Sequence, residues 1–224
     1  RQVIKDRIGR LVRDMGVTAT AVRGNDLVLS IDSRLQYLAY KALKENVALR
    51  HAKAGTATVL DARTGEVLAM VSQPSWNPNN RQSRNENGLV NRAMVNLLEP
   101  GSTIKTFTMT AALESGKFDM NTIIDTSPGR VVVDRRVLKD PVNYGPSTLS
   151  RIIAKSSQVG AIKVGLELGH EPMLDVLRRV GFGENIGTGF PGETSGVLPN
   201  HERWSRGETA SLAYGYGFQV TPLQ

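Results

Sequence analysis

The sequence feature that most restricts the possible folds of this chain is a pair of β-prone runs separated by only six residues. Residues 56–60 and 67–71 are rich in Thr, Val, Leu and Met, and residues 61–66 between them are mostly polar. A connection this short brings the two runs together as an antiparallel hairpin, because parallel strands need a crossover of a dozen or more residues. We therefore expect a fold that contains at least one antiparallel strand pair.

Helical patterns lie on both sides of this hairpin. Residues 33–51 place apolar side chains at helical spacing, and Ser33 with Gln36 predicts a capping box at the start of that helix. We expect its apolar stripe to face the core. Further helices are predicted over residues 102–113, 149–153, 159–168, 172–180 and 205–213. This mixture of elements predicts the α+β class.

The first residues differ in character from the rest of the chain. Residues 1–25 are polar and basic without a sustained apolar period, which predicts a linker or the end of a preceding non-catalytic domain. Residues 26–224 are then expected to belong to one domain, beginning with a short strand at 27–31. Short strands and turns are predicted over 122–138, and long loops over 73–91 and 181–199.

Composition excludes several classes of function. The net charge is +7, but the Lys and Arg residues are scattered and aromatic residues make up only 5%, so we expect no nucleic-acid partner. The chain has no cysteine, which excludes disulfides and thiolate chemistry. His51, His170 and His201 are dispersed without ligand spacing, so no metal is expected. Neither a Walker loop nor a dinucleotide fingerprint appears, and no organic cofactor is expected. No apolar run of membrane-spanning length and no signal peptide is present, although both could have been removed from a longer protein.

A serine and a lysine three residues apart begin one predicted helix. Ser102 and Lys105 follow Pro100-Gly101, and positions i and i+3 share a helix face, so we expect the ammonium to reach the hydroxyl. A partly buried lysine with a lowered pKa accepts the proton of such a serine and makes it a nucleophile. Backbone N–H groups at the helix start would stabilise an oxyanion. Alone, the pattern also fits an exposed serine beside a solvated lysine.

A second polar run, Lys155-Ser156-Ser157-Gln158, lies between two predicted helices. The hydroxyl of its second serine, Ser157, is a candidate proton relay between Lys105 and a leaving amine. The amide of Gln158 is a candidate ligand for a substrate carbonyl. A helix–helix turn with capping serines explains the same residues.

Together these motifs resemble the transpeptidase domain of class B penicillin-binding proteins, most like the cell-division (septal) type, penicillin-binding protein 3. The resemblance covers nearly the whole chain and depends on segments in family order. They are LSIDSRLQ at 29–36, DARTGEVLAM at 61–70, SWNPN at 75–79, EPGS at 99–102, GETSG at 192–196 and GYGFQVTPLQ at 215–224. It implies the penicillin-binding/serine β-lactamase-like transpeptidase fold, an antiparallel sheet flanked by helices.

The resemblance also implies roles for individual residues. Ser102 would be the acylated nucleophile and Lys105 its general base, and Ser156, the first residue of the family's second motif, would be a third catalytic residue. Ser157 and Gln158 of that motif would face the substrate. The family usually has Asn where this chain has Gln158, and the additional methylene moves the amide by about 1.5 Å, which is comparable to misplacements that lower catalysis strongly.

The family's third motif, Lys-Ser/Thr-Gly, is absent from the sequence. The resemblance implies that it follows Gln224, so the C-terminal part of the domain and one wall of its site are expected to be missing here. Arg63-Thr64-Gly65 is similar to this motif, but it precedes Ser102 and lies in the predicted hairpin turn, so we do not interpret it as the third motif.

By resemblance, the expected activity is that of a D-alanyl-D-alanine transpeptidase that cross-links septal peptidoglycan through a serine acyl-enzyme and is inhibited by β-lactam antibiotics. Peptidoglycan stem peptides would be its substrates, and a lipid-II polymerase and divisome proteins its partners. The expected location is a periplasmic domain held to the inner membrane by a missing N-terminal anchor.

Other functions on the same fold stay open at this point. Gln158 and the missing third motif also fit a non-catalytic β-lactam-binding sensor or a scaffold. Within the enzymes, a carboxypeptidase or a serine β-lactamase is the alternative, although no residue is evident that would activate a deacylating water. A class B relative of the elongation type shares the same motifs.

Overall fold

The computed structural model describes residues 2–17, 19–20, 22–80, 82, 84 and 86–224. It divides the chain into two compact units, Arg1–Ser30 and Ile31–Gln224. In the first unit, strands β1 (Val3–Lys5) and β2 (Leu11–Asp14) form an antiparallel pair of exposed residues. This unit therefore contains a hairpin within the segment that the sequence predicted as a linker or a domain end.

The strand predicted over residues 27–31 is wrong. Leu27, Val28 and Leu29 belong to no strand and are 83%, 92% and 63% exposed. A β-prone run becomes a strand only when a neighbouring strand satisfies its backbone groups, and no strand in the described part of the chain pairs with these residues.

The second unit begins with helix α1 (Ser33–Leu49). The predicted capping box of Ser33 and Gln36 is wrong, because the cap lies one residue earlier. The Asp32 carboxylate accepts two N–H groups of the first turn, at 2.8 and 3.1 Å. A carboxylate at this position both accepts these bonds and is favoured by the positive end of the helix dipole.

The apolar stripe of α1 is only partly buried, contrary to the core position predicted for it. None of the 17 residues of this helix, all of them described, is fully buried. Leu38 is 60% exposed, whereas Leu43 and Val47 are half-buried on the side of the following strands. A helical period shows which face is apolar, but the neighbouring elements decide how much of that face is covered.

The hairpin is confirmed by strands β3 (Gly55–Leu60) and β4 (Val67–Gln73), which pair antiparallel from Gly55↔Gln73 onward. The Gln36 side chain of α1 donates to Met70 O at 2.9 Å and accepts from Met70 N at 2.8 Å, so the helix is bonded to the hairpin. Residues 63–65 lie in the turn between the strands, as predicted.

Helices form the body that carries the candidate site. A short helix, α2 (Arg92–Val95), precedes it. The helices that follow are α3 (Lys105–Glu114), α4 (Leu149–Ala154), α5 (Gln158–Leu168), α6 (His170–Arg179) and α7 (Arg206–Ala213). Side chains from all five pack into one core, where Met109, Ile152, Val164, Leu177 and Leu212 are each at most 1% exposed. The predicted helices are therefore confirmed, with ends that shift by a few residues.

The remaining strands are short. They are β5 (Ile123–Asp125), β6 (Arg130–Val133), β7 (Arg136–Lys139) and β8 (Pro146–Thr148). Strand β5 pairs with β8, and β6 pairs with β7, both antiparallel. The observed architecture is α+β with antiparallel pairs, as predicted. Within the described residues, no helix has both the length and the apolar character required to cross a membrane.

Helices α5 and α7 approach so closely at Gly165 that an alanine does not fit. A Cβ added there would lie 2.4 Å from the Cβ of Ala213. We expect Gly165→Ala to lower the free energy of unfolding in urea by about 1–3 kcal/mol, the usual cost of overpacking a core. Glu167→Ala, on the exposed face of the same helix, should change it by no more than about 0.5 kcal/mol. Equal stabilities of the two variants would contradict this prediction.

Candidate active site

Ser102 lies in a 3-10 turn, Gly101–Ile104, directly before α3. Its side chain is exposed, and its hydroxyl makes no hydrogen bond with any residue that the structure describes. The bond to Lys105 that the sequence predicted is thus not formed in this conformation. The N–H of Gly101 is bonded to Gly215 O, so the N–H of Ser102 itself is the one available near the hydroxyl at the start of this turn.

The backbone around Ser102 is fixed by the loop that follows α7. Gly101 N donates to Gly215 O at 2.9 Å, and Gly217 N donates to Glu99 Oε1 at 3.0 Å. Gly215 has φ +88°, and a Cβ there would lie 1.9 Å from Gly101 O. Only glycine permits this approach, so two distant segments together set the position of the serine.

Lys105, the first residue of α3, is buried with 5% of its surface exposed. Its Nζ donates to Ser156 O at 2.5 Å and to Ser156 Oγ at 3.1 Å. Burial lowers the pKa of Lys105 below its ordinary value, and the negative charge of Asp140 opposes part of that effect. Because burial disfavours the ammonium, the neutral amine that a general base requires is more populated than in a solvated lysine.

Ser156 lies between α4 and α5 in a backbone conformation that residues other than glycine rarely adopt, with φ +52°. Its side chain is exposed, and its hydroxyl contacts the Lys105 ammonium. Such strain persists where the surrounding structure imposes it and is concentrated at functional sites. The serine beside Lys105 is therefore Ser156, the residue to which the resemblance gave a catalytic role.

Ser157 does not occupy the position predicted for it. Its side chain is 1% exposed, caps α5 by accepting from Gly160 N at 2.9 Å, and donates to Asp140 Oδ2 at 2.6 Å. The prediction that Ser157 relays protons from Lys105 or contacts substrate is wrong, because a hydroxyl buried in these two bonds reaches neither. The sequence does not show that Ser156 is exposed while the adjacent Ser157 is buried.

Gln158 is the first residue of α5 and is half-buried. Its backbone N–H donates to Asp140 Oδ1 at 2.6 Å. Its side-chain amide makes no hydrogen bond among the described residues, which leaves it able to receive a ligand. Its contact with a substrate carbonyl stays a prediction.

Asp140 is the residue that reasoning from the sequence missed. It follows β7, is 8% exposed, and accepts from Ser157 Oγ, Gln158 N and, at 3.2 Å, Val159 N. The first turn of α5 has no acidic residue of its own, so Asp140 supplies the negative charge at that helix start. The only sequence feature that pointed to Asp140 was its position as an acidic residue at the end of a β-prone run. Acidic residues at such positions are too common to identify a functional site.

The described residues bring together no group of three His, Asp or Glu side chains that could hold a metal ion. His170 and His201 instead each stack on the ring of Trp204, with ring centroids at 4.7 and 4.8 Å. The structure thus places one buried lysine, two hydroxyls and a buried carboxylate together, which suits acyl transfer through a serine.

Comparison with known proteins defines the class. Residues 55–224 match the family described as "Penicillin binding protein transpeptidase domain", and the chain belongs to this family. It is 42% identical over its full length to a protein of Pseudomonas aeruginosa named "Probable peptidoglycan D,D-transpeptidase PbpC". It is 40% identical to "Peptidoglycan D,D-transpeptidase FtsI" of Escherichia coli K12. The chain spans 40% and 38% of the length of these two relatives.

Solved structures give the same result for the fold. One is described as the apo structure of the TP domain from Burkholderia pseudomallei penicillin-binding protein 3, with a TM-score of 0.75 and 37% identity over 86% of this chain and 54% of that chain. Another is described as a peptidoglycan glycosyltransferase from Burkholderia ambifaria, with a TM-score of 0.77 and 38% identity over 87% of this chain and 57% of that chain. The predicted transpeptidase fold is confirmed.

Proposed function

We propose that this chain is part of a D-alanyl-D-alanine transpeptidase that cross-links septal peptidoglycan, and that β-lactams inhibit it by acylating Ser102. The observation that carries the proposal is the buried amine of Lys105, in contact with the Ser156 hydroxyl and three residues from an exposed serine. The names of the full-length relatives support the same activity.

In the first half of the reaction, Ser102 Oγ attacks the carbonyl carbon between the two terminal D-alanines of a donor peptide. Neutral Lys105 accepts the hydroxyl proton, and the N–H of Ser102, at the start of the 3-10 turn, stabilises the oxyanion. Because Lys105 now contacts Ser156 and not Ser102, the two side chains have to come together when the donor binds, which is usual for catalytic bonds in unliganded enzymes.

Collapse of the tetrahedral intermediate breaks the peptide bond and leaves an ester on Ser102. The leaving nitrogen needs a proton, and we assign its delivery to Ser156, whose hydroxyl is both exposed and bonded to Lys105. D-alanine departs. We assign the binding of a donor carbonyl to the Gln158 amide, because it lies at the start of α5 and has no partner among the described residues.

The whole protein is expected to act beyond the cytoplasm, where peptidoglycan lies. We propose a periplasmic domain anchored to the inner membrane by a segment outside this sequence, working beside a lipid-II polymerase and other divisome proteins. The name of the E. coli relative supports a role in division.

The decisive experiment is labelling with a fluorescent penicillin. We expect the protein that carries this sequence to form a covalent adduct that Ser102→Ala eliminates, because the hydroxyl is the only group replaced. Ser33→Ala, which removes an exposed hydroxyl at the start of α1, should label like the wild type. A folded wild-type protein that forms no adduct would refute the proposal, and an adduct without any peptide cross-linking would favour the sensor.

A further inference from the structure

Two adjoining surface cavities lie between α1 and the segments that follow β4. The larger, of about 590 Å³, is lined by Tyr40 and Lys44 of α1 and by residues 75–78. The smaller, of about 250 Å³, is lined by α1, β4 and residues 88–91, and it shares Tyr40 and Ser75 with the larger one. We call this pair of cavities the α1 groove. None of the residues of the acyl-transfer site lines it, so the reaction proposed above leaves it without a role.

Two buried amide groups at the groove lack hydrogen-bond partners among the described residues. Gln73 is 6% exposed and its Nε2 has no acceptor, whereas Asn91, which lines the groove, has no donor to its Oδ1. Gln73 Oε1 lies 3.5 Å from Ser75 Oγ, so this amide is at the groove as well. The terminal torsions of Asn and Gln are soft, so a modest rotation presents both atoms to a ligand. A ligand that brings an acceptor and a donor would satisfy them.

The hydroxyls of Tyr40 and Ser75 are bonded to each other only weakly. Their oxygens lie 3.3 Å apart, whereas O–H···O bonds are usually about 2.7–2.8 Å long. Both residues are half-buried and line both cavities. Because each hydroxyl can donate and accept, the pair is available to a ligand that is rich in hydroxyl groups.

Aromatic surface lies beside these polar groups. Trp76 lines the larger cavity, and within the described part of the chain its ring stacks on no other ring and its indole N–H has no acceptor. The Tyr40 ring has Lys44 Nζ at 5.7 Å from its centroid. Trp and Tyr combine a rigid apolar face with a polar edge. A sugar ring, with C–H groups on its faces and hydroxyls at its rim, matches this combination.

The charges of the groove favour a ligand that is neutral. Among the described residues, Lys44 is the one charged side chain that lines either cavity, and no carboxylate or histidine does. A metal ion requires such ligands, and a polyanion requires several cations. The groove therefore suits a ligand that binds through hydroxyl and amide groups.

We propose that the α1 groove binds a glycan of N-acetylated amino sugars, the polymer that carries the stem peptides of the proposed substrate. The inference depends on the function proposed above, which is the reason for choosing this glycan. Its acetamido groups supply a carbonyl acceptor for Gln73 Nε2 and an N–H donor for Asn91 Oδ1. Its hydroxyls bond to Tyr40 and Ser75, and a sugar face packs on Trp76. The groove holds the glycan and takes no part in acyl transfer.

The test is a calorimetric titration of the full-length protein with chitotetraose, a short chain of N-acetylglucosamine units that carries no peptide. We expect saturable binding by the wild type. Trp76→Ala should raise the dissociation constant about tenfold or more, and Tyr40→Phe, which removes one hydroxyl, should raise it about threefold or more. Both variants should keep the wild-type rate of acylation by penicillin, which shows that they are folded.

The matched controls lie on the same helix. Tyr37 is 63% exposed and lines neither cavity, so Tyr37→Ala and Tyr37→Phe should bind chitotetraose like the wild type. Cellotetraose, which has hydroxyls in place of the acetamido groups, should bind about tenfold more weakly. No saturable binding of chitotetraose, an equal loss in the Tyr37 variants or equal affinity for cellotetraose would refute the inference. A wild type that binds the glycan but forms no penicillin adduct would instead refute the proposed function.

Discussion

Gly215→Ala should slow acylation of Ser102 by penicillin about a hundredfold or more, although residue 215 bears no chemical group of the reaction. The added Cβ would lie 1.9 Å from Gly101 O, so the chain must separate there and the bond from Gly101 N to Gly215 O is lost. The nucleophile then moves, and displacements of about 1 Å lower rates by this amount. The measurement is the second-order rate constant of acylation.

The matched control is Gly187→Ala. Gly187 has φ +80°, close to the +88° of Gly215, but no atom lies within 4 Å of where its Cβ would be. Both variants have similar backbone strain, but only in Gly215→Ala does the added Cβ collide with a neighbouring atom, Gly101 O. If Gly215→Ala acylates at the rate of Gly187→Ala, the close approach does not set the position of Ser102.

Asp140→Asn should change both the rate of acylation and its dependence on pH. The carboxylate receives three hydrogen bonds from the start of α5, and their weakening should lower the maximal rate about tenfold, since bonds to charged groups contribute about 1.5–3 kcal/mol. The negative charge also raises the pKa of Lys105 against the larger lowering by burial. Removing that charge therefore lowers the Lys105 pKa further.

The sign of the pH effect follows from the form of Lys105 that reacts. The neutral amine is the base, so acylation increases as pH rises through the Lys105 pKa. With a lower pKa, this increase should occur at lower pH in Asp140→Asn than in wild type. Asp175→Asn, on the exposed face of α6, serves as the control with an unchanged profile. A slower variant with an unshifted profile would mean that Asp140 only supports the fold.

Much of the fold could be predicted because its signals are local. The β3–β4 hairpin follows from two β-prone runs and a six-residue connection, and α5, α6 and α7 follow from apolar residues at helical spacing. The burial of α1 and the strand at residues 27–31 were mispredicted because both depend on neighbours. Propensity shows what a segment prefers and not what lies beside it.

The candidate site was predicted less completely for the same reason. Ser102, Lys105 and Ser156 were found through a motif and a family resemblance, and the structure brings the last two into contact across 51 positions. Asp140 and the inward orientation of Ser157 were missed, because both depend on a bond between residues 17 positions apart. A local sequence pattern cannot predict that Ser157, and not Ser156, bonds to the distant carboxylate of Asp140.

The contacts around Ser102 also concern how the chain folds. The serine turn, Asp140, the Ser156–Gln158 run and the loop after α7 meet only when segments more than 100 positions apart are in place, as the bond between Glu99 and Gly217 shows. Contacts of such separation form late, after the entropy of closing long loops has been overcome. The catalytic geometry is thus a property of the completed helical body, and it is not present in any one of these segments alone.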